Sequence, residues 1–288
     1  MNLKFSILVF FLLPLFLTTS CKKEKEIASS LSKEIATPRT TPLEFAATAG
    51  ILHNEGLEQL RLTFDLSESY ANNYIKTDSI FCNLSAFFQS EEGLDSATSY
   101  QSFMRDSFVF MLNNDNLTIE KISSYWQSWR NNEIVTGNLT TTELNFIDSM
   151  FVFFSQDFSG LTRQQISTLA YNKSENLLSA FNQIDWTTGN GTLACGALHV
   201  MKSTSSYWGS HSPGTFIGSN INPYDEPTGQ IFAWIIHADC IGYICGWAGA
   251  LIDDYHSAGG VQPSGQDRRI QQGFNWAAGS SAIAAGGW

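Results

Sequence analysis

A pair of small-residue stripes near the C-terminus most limits how this chain can fold. Residues 231–252 form a long apolar run that only His237 and Asp239 interrupt. Within a helix, residues that recur every fourth position stay on one narrow face. Two segments show this glycine-zipper spacing, at Ala238, Gly242, Gly246, Ala250, Gly273, Ala277, Ser281 and Ala285. Because glycine inside a helix costs about 1 kcal/mol relative to alanine, a close helix–helix contact has to compensate for it.

We therefore expect residues 231–288 to form an antiparallel helical hairpin whose two backbones lie unusually close. Small side chains at every fourth position permit such an approach. Matching the two stripes places Ala238 beside Ala285 and Ala250 beside Gly273. The same register brings charges of opposite sign together at the loop end, namely Asp253 and Asp254 with Arg268 and Arg269.

The sequence allows this hairpin to lie in lipid or inside protein. A helix of about 22 residues spans about 33 Å, which is long enough for a bilayer. Against a lipid location, Asp239 near the middle of the run would cost about 2.5–3.5 kcal/mol in a membrane, and His237 adds to that cost. We therefore expect the rest of the protein to bury the hairpin, with a membrane location as the alternative.

The chain before the hairpin carries clear helix start signals. A Thr followed three residues later by Glu or Gln forms a capping box, and Pro is favoured in the first turn of a helix. These signals occur at Thr41-Pro42-Leu43-Glu44, at Thr140 with Glu143 and at Thr162 with Gln165. Apolar residues follow them at helical spacing. The sequence thus predicts an all-α fold with a helical bundle over residues 42–187.

A change in glycine content marks the end of that bundle. Of the 22 glycines, 17 lie after residue 188. The segment 188–230 contains TGNGT, STSSYWGSHSPG and SNINPYDEPTG and shows no clear hydrophobic period. We expect a loop-rich connector over 188–230 between the bundle and the hairpin.

The N-terminus has the pattern of an export signal. Lys4 precedes an apolar run from Phe5 to Leu17, which is too short to span a bilayer. The residues LTTSC at 17–21 resemble the lipobox of bacterial lipoproteins, although the bulky aliphatic residue stands four rather than three positions before the cysteine. The resemblance implies a signal peptide at 1–20 and acylation, with palmitate or a similar chain, at Cys21. The alternative is an ordinary secretory signal that leaves Cys21 as a thiol.

Residues 21–41 are polar and are expected to form a flexible tether behind the lipid. Two or more acyl chains would hold such a protein stably on a membrane. The charged run at 22–26 resembles the surface-export signals of some Gram-negative lipoproteins, while a solvated spacer explains it equally well. The expected location is the bacterial cell envelope, at the outer membrane or cell surface rather than the inner membrane.

Composition excludes some function classes. The formal net charge of −11 argues against a nucleic-acid partner. The sequence has no P-loop, dinucleotide fingerprint, HExxH, CxxC or nucleophile-elbow motif. We therefore assign no catalytic residue and expect no cofactor and no bound metal.

Four cysteines follow the anchor, and an oxidising envelope permits disulfides between them. Cys240 and Cys245 cannot bridge each other within one regular helix, so Cys195 is the natural partner for either. The alternative is that all are buried thiols. Cys195 and His199, four residues apart, could also form a thiol–imidazole pair or two metal ligands, although a buried thiol beside a surface imidazole is the plainer interpretation.

Two short stretches point to a buried polar cluster. HNEGL at 53–57 and ADCIG at 238–242 resemble elements of uncharacterised exported bacterial proteins, and this resemblance implies no known activity. We expect His53, Asn54 and Asp239 to meet, with His237 as another candidate partner for the Asp239 carboxyl group. Structural hydrogen bonding is the expected role of this cluster.

These observations favour an envelope lipoprotein with a non-enzymatic binding or structural role, whose partner is an unknown protein or glycan. The alternative is a membrane-active or self-assembling protein that acts through its C-terminal hairpin, which resembles hydrophobic segments of bacteriocin-like and pore-forming polypeptides. An enzyme that uses Cys195 with His199, or His53 with Asp239, is a third hypothesis.

Overall fold

The computed structural model describes residues 41–65, 73–91, 126–128, 130–186, 191–217, 229–257 and 266–286. The expected signal peptide at 1–20, the expected lipidation site at Cys21 and the expected tether up to residue 40 lie outside the described residues. Within the described ranges the secondary structure is helical and contains no strand, so the all-α prediction is confirmed.

Eight α-helices carry the described fold. They are α1 (Pro42–Thr63), α2 (Asn73–Glu91), α3 (Glu133–Thr136), α4 (Thr141–Phe154), α5 (Arg163–Phe181), α6 (Thr192–Ser210), α7 (Gly229–Ser257) and α8 (Gln266–Gly286). A 3-10 turn, Pro213–Thr215, follows α6. Buried apolar side chains from all eight helices form one continuous hydrophobic core.

The predicted start signals cap α1 and α5 locally, whereas at α4 the acidic residue of the signal contacts another helix. The Thr41 hydroxyl accepts a hydrogen bond from the Glu44 amide and begins α1. Thr162 and Gln165 form the complete capping box of α5. At α4 the Thr140 hydroxyl caps the Glu143 amide, whereas the Glu143 carboxylate bonds to another helix, α6.

The prediction of a loop-rich connector at 188–230 is wrong for Thr192–Ser210, which form helix α6. This helix packs against α1, α5, α7 and α8, and residues around most of its circumference are buried. A helix enclosed on several sides needs no alternation between an apolar and a polar face. Even so, α6 keeps one partly exposed polar face, and the glycine- and serine-rich stretches of 188–230 hid its period in the sequence. The residues of that face are His199, Lys202, Ser203, Ser206 and Ser210.

The C-terminal hairpin is present and lies inside the protein. Helices α7 and α8 run antiparallel, and near their connection the Asp254 carboxylate bonds to the guanidinium groups of Arg268 and Arg269. The segment Gly229–Ile252 of α7 is long and apolar enough to cross a membrane, and its residues 235–252 are all buried in the structure, whereas Ile231 near its start is exposed. Helices α1 and α6 cover the hairpin on one side, and α2 packs against α8. The side chain of Asp253 lies outside the described part.

Glycines of α7 meet the backbone of α8 directly. A Cβ atom at Gly246 would lie 2.5 Å from the Gln272 carbonyl oxygen, and one at Gly242 would lie 2.8 Å from the Trp276 carbonyl oxygen. Such distances leave no room for a side chain. Ala238, Ala250, Ala277 and Ser281 are also buried, while the side chain of Ala285 is outside the described part.

The expected pairing of Ala250 with Gly273 is wrong. A Cβ atom at Gly273 would lie 2.6 Å from the Tyr243 ring, which stands two turns before Ala250 on α7. The same ring faces Gly196 of α6. Gly273 therefore makes room for a large aromatic side chain, which a rule based on matching small residues could not anticipate.

Candidate functional site

Helices α1, α6 and α7 bring together three of the four residues expected in the polar cluster. His53 on α1 and Asp239 on α7 both have side chains that are 0% exposed, and His53 Nε2 lies 3.5 Å from Asp239 Oδ2. Asn54, the next residue on α1, lies beside the imidazole, with its Oδ1 atom 2.9 Å from His53 Nδ1. We call His53, Asn54, Thr204, Trp208, Asp239 and Ser281 the buried polar cluster.

The hydrogen bonds of Asn54 determine which ring nitrogen of His53 carries a hydrogen. The amide nitrogen of Asn54 donates to the Ser203 carbonyl oxygen at 3.0 Å, so its oxygen faces His53. His53 Nδ1 therefore donates to that oxygen, and in the neutral ring Nε2 is an acceptor. Nε2 faces Oδ2 of Asp239 without forming a hydrogen bond to it.

Two donors from α6 complete the surroundings of Asp239. The Thr204 hydroxyl and the Trp208 indole N–H, the latter at 3.1 Å, both donate to Oδ2 of Asp239. The indole nitrogen also lies 3.2 Å from the Ser281 hydroxyl oxygen on α8. The cluster thus joins α1 and α6 to both helices of the hairpin.

Burial keeps the acid and the base of this cluster in neutral forms. It raises the pKa of Asp239 to about 7, against the opposing effect of hydrogen bonds from Ser281, Thr204 and Trp208. It lowers the pKa of His53 to about 4, and the hydrogen bond with Asn54 acts weakly in the other direction. Between about pH 4 and pH 7 a carboxylic acid beside a neutral imidazole is therefore the favoured state, since an ion pair would have to exist without water.

Thr204 and Trp208 belong to the buried polar cluster, and the sequence did not predict them as members. They stand four residues apart on α6 and hence on one helix face, but this spacing does not indicate that they meet Asp239. Their stretch was interpreted as a loop because it is rich in serine. Ser281 was expected only as a small packing residue, and its hydroxyl group adds a polar contact.

His237 does not belong to the buried polar cluster. It stands two positions before Asp239, a rotation of about 200° around the helix, and therefore points away from it. Its ring stacks on Phe154, with centroids 4.7 Å apart, and meets Phe151 edge-on. Neither ring nitrogen has a hydrogen-bond partner among the described residues, and burial lowers the pKa of His237 to about 3.

The cysteines considered for a disulfide are buried thiols. Cys195, Cys240 and Cys245 form no disulfide, and Cys195 Sγ lies 3.7 Å from the Leu43 carbonyl oxygen on α1. The geometry thus directs Cys195 towards α1 rather than towards a thiol of α7. Burial and the nearby Glu143 carboxylate raise the pKa of Cys195 to about 12, which is opposite to the shift that activates a nucleophilic thiol.

Glu143 forms a second buried polar contact, at the start of α6. Gly191, the N-cap residue of α6, has no side chain with which to cap the helix. The Glu143 carboxylate of α4 instead accepts from the amides of Leu193 at 2.9 Å and Ala194 at 3.2 Å. Burial raises the pKa of Glu143 to about 6, although these backbone hydrogen bonds oppose the shift. Glu143 therefore serves as an interhelical cap.

Nothing in the described geometry resembles an open reaction site. Among the described residues, no group of three or more His, Cys, Asp or Glu side chains is placed to hold a metal ion. The buried polar cluster has the residue types of acid–base chemistry, but both titratable side chains are fully enclosed. Its geometry fits a set of cross-links between helices.

No protein-family model matches this chain, and no curated protein or solved structure is similar enough to match.

Proposed function

We propose that this chain is an envelope-anchored lipoprotein with a non-enzymatic binding or structural role. In this proposal Cys21 carries the lipid, residues 21–41 form the tether, and the helical body faces the partner. The lipobox-like residues LTTSC at 17–21 support the anchor. The partner is a protein or a glycan of the envelope.

The proposal of a non-enzymatic role rests on one observation, which is that the buried polar cluster is closed to solvent. His53 and Asp239 are 0% exposed, and Asn54, Thr204 and Trp208 use their hydrogen-bonding groups to join helices. A catalytic acid or base must come within hydrogen-bond reach of its substrate. A pair sealed inside a packed core instead stabilises the body that presents a surface.

Metabolic labelling tests the anchor. Cells that express the full chain are fed an alkyne analogue of palmitate, and the protein is then coupled to a fluorophore. The proposal expects label on the wild type and on Cys82→Ser, and none on Cys21→Ser, which should also leave the membrane fraction. Label that persists in Cys21→Ser would overturn the anchor.

Reaction with active-site probes tests the non-enzymatic role. The native full chain is treated with a fluorophosphonate and with iodoacetamide, and labelled residues are located by mass spectrometry. We expect no stoichiometric label at Cys195 or at any hydroxyl group. Rapid stoichiometric modification of Cys195 in the folded chain would instead favour an enzyme.

A membrane-active protein is the second candidate. The length and composition of Gly229–Ile252 favour it, whereas the burial of residues 235–252 inside the protein opposes it. Dye release from liposomes by the full mature chain is the test. Under this alternative the wild type releases dye and Gly246→Leu does not, whereas vesicles that stay sealed at every protein concentration would remove its main support.

A further inference from the structure

A surface groove between α5 and α6 has features of a ligand site. Its volume is about 360 Å³. It is lined by Gln164, Ser167, Thr168 and Tyr171 on α5 and by Ser206 and Ser210 on α6. Unlike the buried polar cluster, this groove is open to solvent. None of its lining side chains is charged, and Tyr171 supplies the only aromatic ring among them.

Gly209 allows the two helices to approach closely at the floor of the groove. A Cβ atom at Gly209 would lie 2.4 Å from Ser167 Oγ. The Ser167 hydroxyl in turn donates to the Ser205 carbonyl oxygen at 2.6 Å, which ties α5 to α6. The floor is therefore fixed by packing before any ligand arrives, which reduces the entropy lost on binding.

The serine and threonine hydroxyl groups of the groove already donate their hydrogens to backbone carbonyl oxygens. Thr168 donates to the Gln164 carbonyl oxygen at 2.8 Å, and Ser210 donates to the carbonyl oxygens of Ser206 and Tyr207 at 3.0 Å. A hydroxyl oxygen that donates its hydrogen still has two lone pairs. The groove thus offers mainly acceptors, and the Gln164 amide adds donors and a further acceptor.

The charges nearest to the groove neutralise each other. Lys202 Nζ lies 2.6 Å from Glu175 Oε1 and 5.6 Å from the centroid of the Tyr171 ring. An anionic ligand would therefore find no cation in the lining, which combines hydroxyl and amide groups with apolar surface. A ligand with many hydroxyl donors, no charge and a C–H face that can pack on one aromatic ring matches these groups.

We propose that the α5–α6 groove binds a neutral saccharide. The inference rests on the proposed binding role and specifies its ligand class. Hydroxyl groups of the sugar donate to the oxygens of Ser167, Thr168 and Ser206, the Gln164 amide bonds to a further hydroxyl, and a sugar ring packs against Tyr171. An envelope protein meets such ligands as free glycans or as surface polysaccharide.

Isothermal titration calorimetry on the full mature chain in detergent tests the proposal. The probes are maltohexaose, cellohexaose and chitohexaose, with a sulfated heparin hexasaccharide as the anionic comparison. We expect saturable heat with at least one neutral probe and none with the sulfated one. Tyr171→Ala and Gln164→Ala should each weaken that binding about tenfold, a loss that corresponds to about 1.4 kcal/mol.

Asn172→Ala is the matched control, because Asn172 is an exposed amide on α5 that does not line the groove. It should bind as the wild type does, and circular dichroism should show equal helix content in all variants. Absence of saturable binding to all three neutral probes, or equal affinity in Tyr171→Ala, overturns the saccharide site. Acylation is measured separately, so failure of the saccharide site and failure of the anchor are distinguished.

Discussion

The Asp239 carboxyl group shows how single residues hold this core together. Its Oδ2 atom accepts hydrogen bonds from Thr204 and Trp208, and it faces the His53 imidazole at 3.5 Å. Removal of the Asp239 carboxyl group takes a buried acceptor from Thr204 and Trp208, and the cost is larger than that of a lost surface contact. The contribution of Asp239 to stability is therefore testable against a surface carboxylate.

Asp239→Ala should lower the free energy of unfolding by about 3 kcal/mol, because Thr204, Trp208 and His53 lose their common partner. Asp239→Asn should cost much less, since the amide oxygen still accepts and the amide nitrogen can donate to His53. Asp148→Ala, which breaks the partly exposed pair with Arg130, should cost less than about 1 kcal/mol. Urea unfolding followed by far-ultraviolet circular dichroism measures all three, and equal losses for Asp239→Ala and Asp148→Ala would contradict the role of the cluster.

His237 should make the protein sensitive to acid. Its pKa is lowered from 6.5 to about 3 in the folded chain. The unfolded chain therefore takes up a proton as pH falls through 6.5 while the folded chain does not, so stability present above pH 6.5 is lost on acidification. Between pH 7.5 and pH 5 this side chain should remove about 2 kcal/mol.

His237→Phe tests this prediction, because a phenyl ring can occupy the same space between Phe151 and Phe154 without a proton site. Urea unfolding at pH 7.5 and at pH 5 should show that the variant loses about 2 kcal/mol less than the wild type on acidification. Effects of Asp239 and His53 are common to both proteins and cancel in the comparison. An unchanged pH dependence would show that His237 is already protonated when folded, or is not buried.

The sequence predicted part of this residue-scale arrangement. His, Asn and Asp within apolar helices had to find partners, so their meeting could be anticipated. The identity of Thr204 and Trp208 could not be derived, because the contacts depend on how α6 crosses α1 and α7. The position of His237 was misjudged because proximity in sequence to Asp239 was given more weight than the 100° rotation per residue of a helix.

At the scale of helices, the hairpin depends on glycine positions where no side chain fits. Gly246 and Gly242 bring α7 against the α8 backbone, and backbone atoms cannot move aside as the end of a flexible side chain can. The helix start at α6 depends in the same way on a distant residue, because Glu143 caps amides that Gly191 leaves uncapped. Local sequence alone specifies neither contact.

Gly246→Ala should lower the free energy of unfolding by about 1–3 kcal/mol, although alanine is the better helix former, because its Cβ would overlap the Gln272 carbonyl oxygen. Gly160→Ala is the matched control, since nothing lies within 4 Å of a Cβ atom at that position. It should leave stability unchanged within about 1 kcal/mol. Thermal unfolding of both variants measures the difference, and an equally stable or more stable Gly246→Ala would disprove the close backbone contact.

Helix caps and small-residue spacing made several elements predictable. Thr41 and Thr162 begin α1 and α5 as their sequences indicated, and the hairpin charges meet at Asp254 with Arg268 and Arg269. Helix α6 was missed because its glycine- and serine-rich sequence resembles a loop, although its polar residues Lys202, Ser206 and Ser210 recur on one exposed face. The register of Gly273 was missed because the Tyr243 ring, rather than a small residue, fills the space opposite it.

On the scale of the whole molecule, one continuous core joins the bundle to the hairpin. The thiols of Cys195, Cys240 and Cys245 lie in that core on α6 and α7. Burial raises the pKa of Cys195 and Cys245 to about 12 each and that of Cys240 well above its ordinary value. A shared core implies that these thiols become accessible together, when the whole described body unfolds.

Alkylation in increasing urea tests this cooperativity. With iodoacetamide at pH 8, Cys82, which is exposed on α2, should react in the native chain. Cys195, Cys240 and Cys245 should react only as helix content is lost, with one common midpoint in circular dichroism and mass spectrometry. Separate midpoints for Cys195 and Cys245 would show that the hairpin and α6 unfold independently.

The position of His53 and Asn54 has a mechanical consequence. They lie on α1, the helix that begins at Pro42 directly after the expected tether, and they connect α1 to α6 and α7. A pull applied to the chain at residue 41 would be transmitted along α1 into the centre of the molecule rather than into a peripheral helix. Extraction of α1 would have to break the buried contacts of His53 and Asn54 together, so the body should resist load from its N-terminal side.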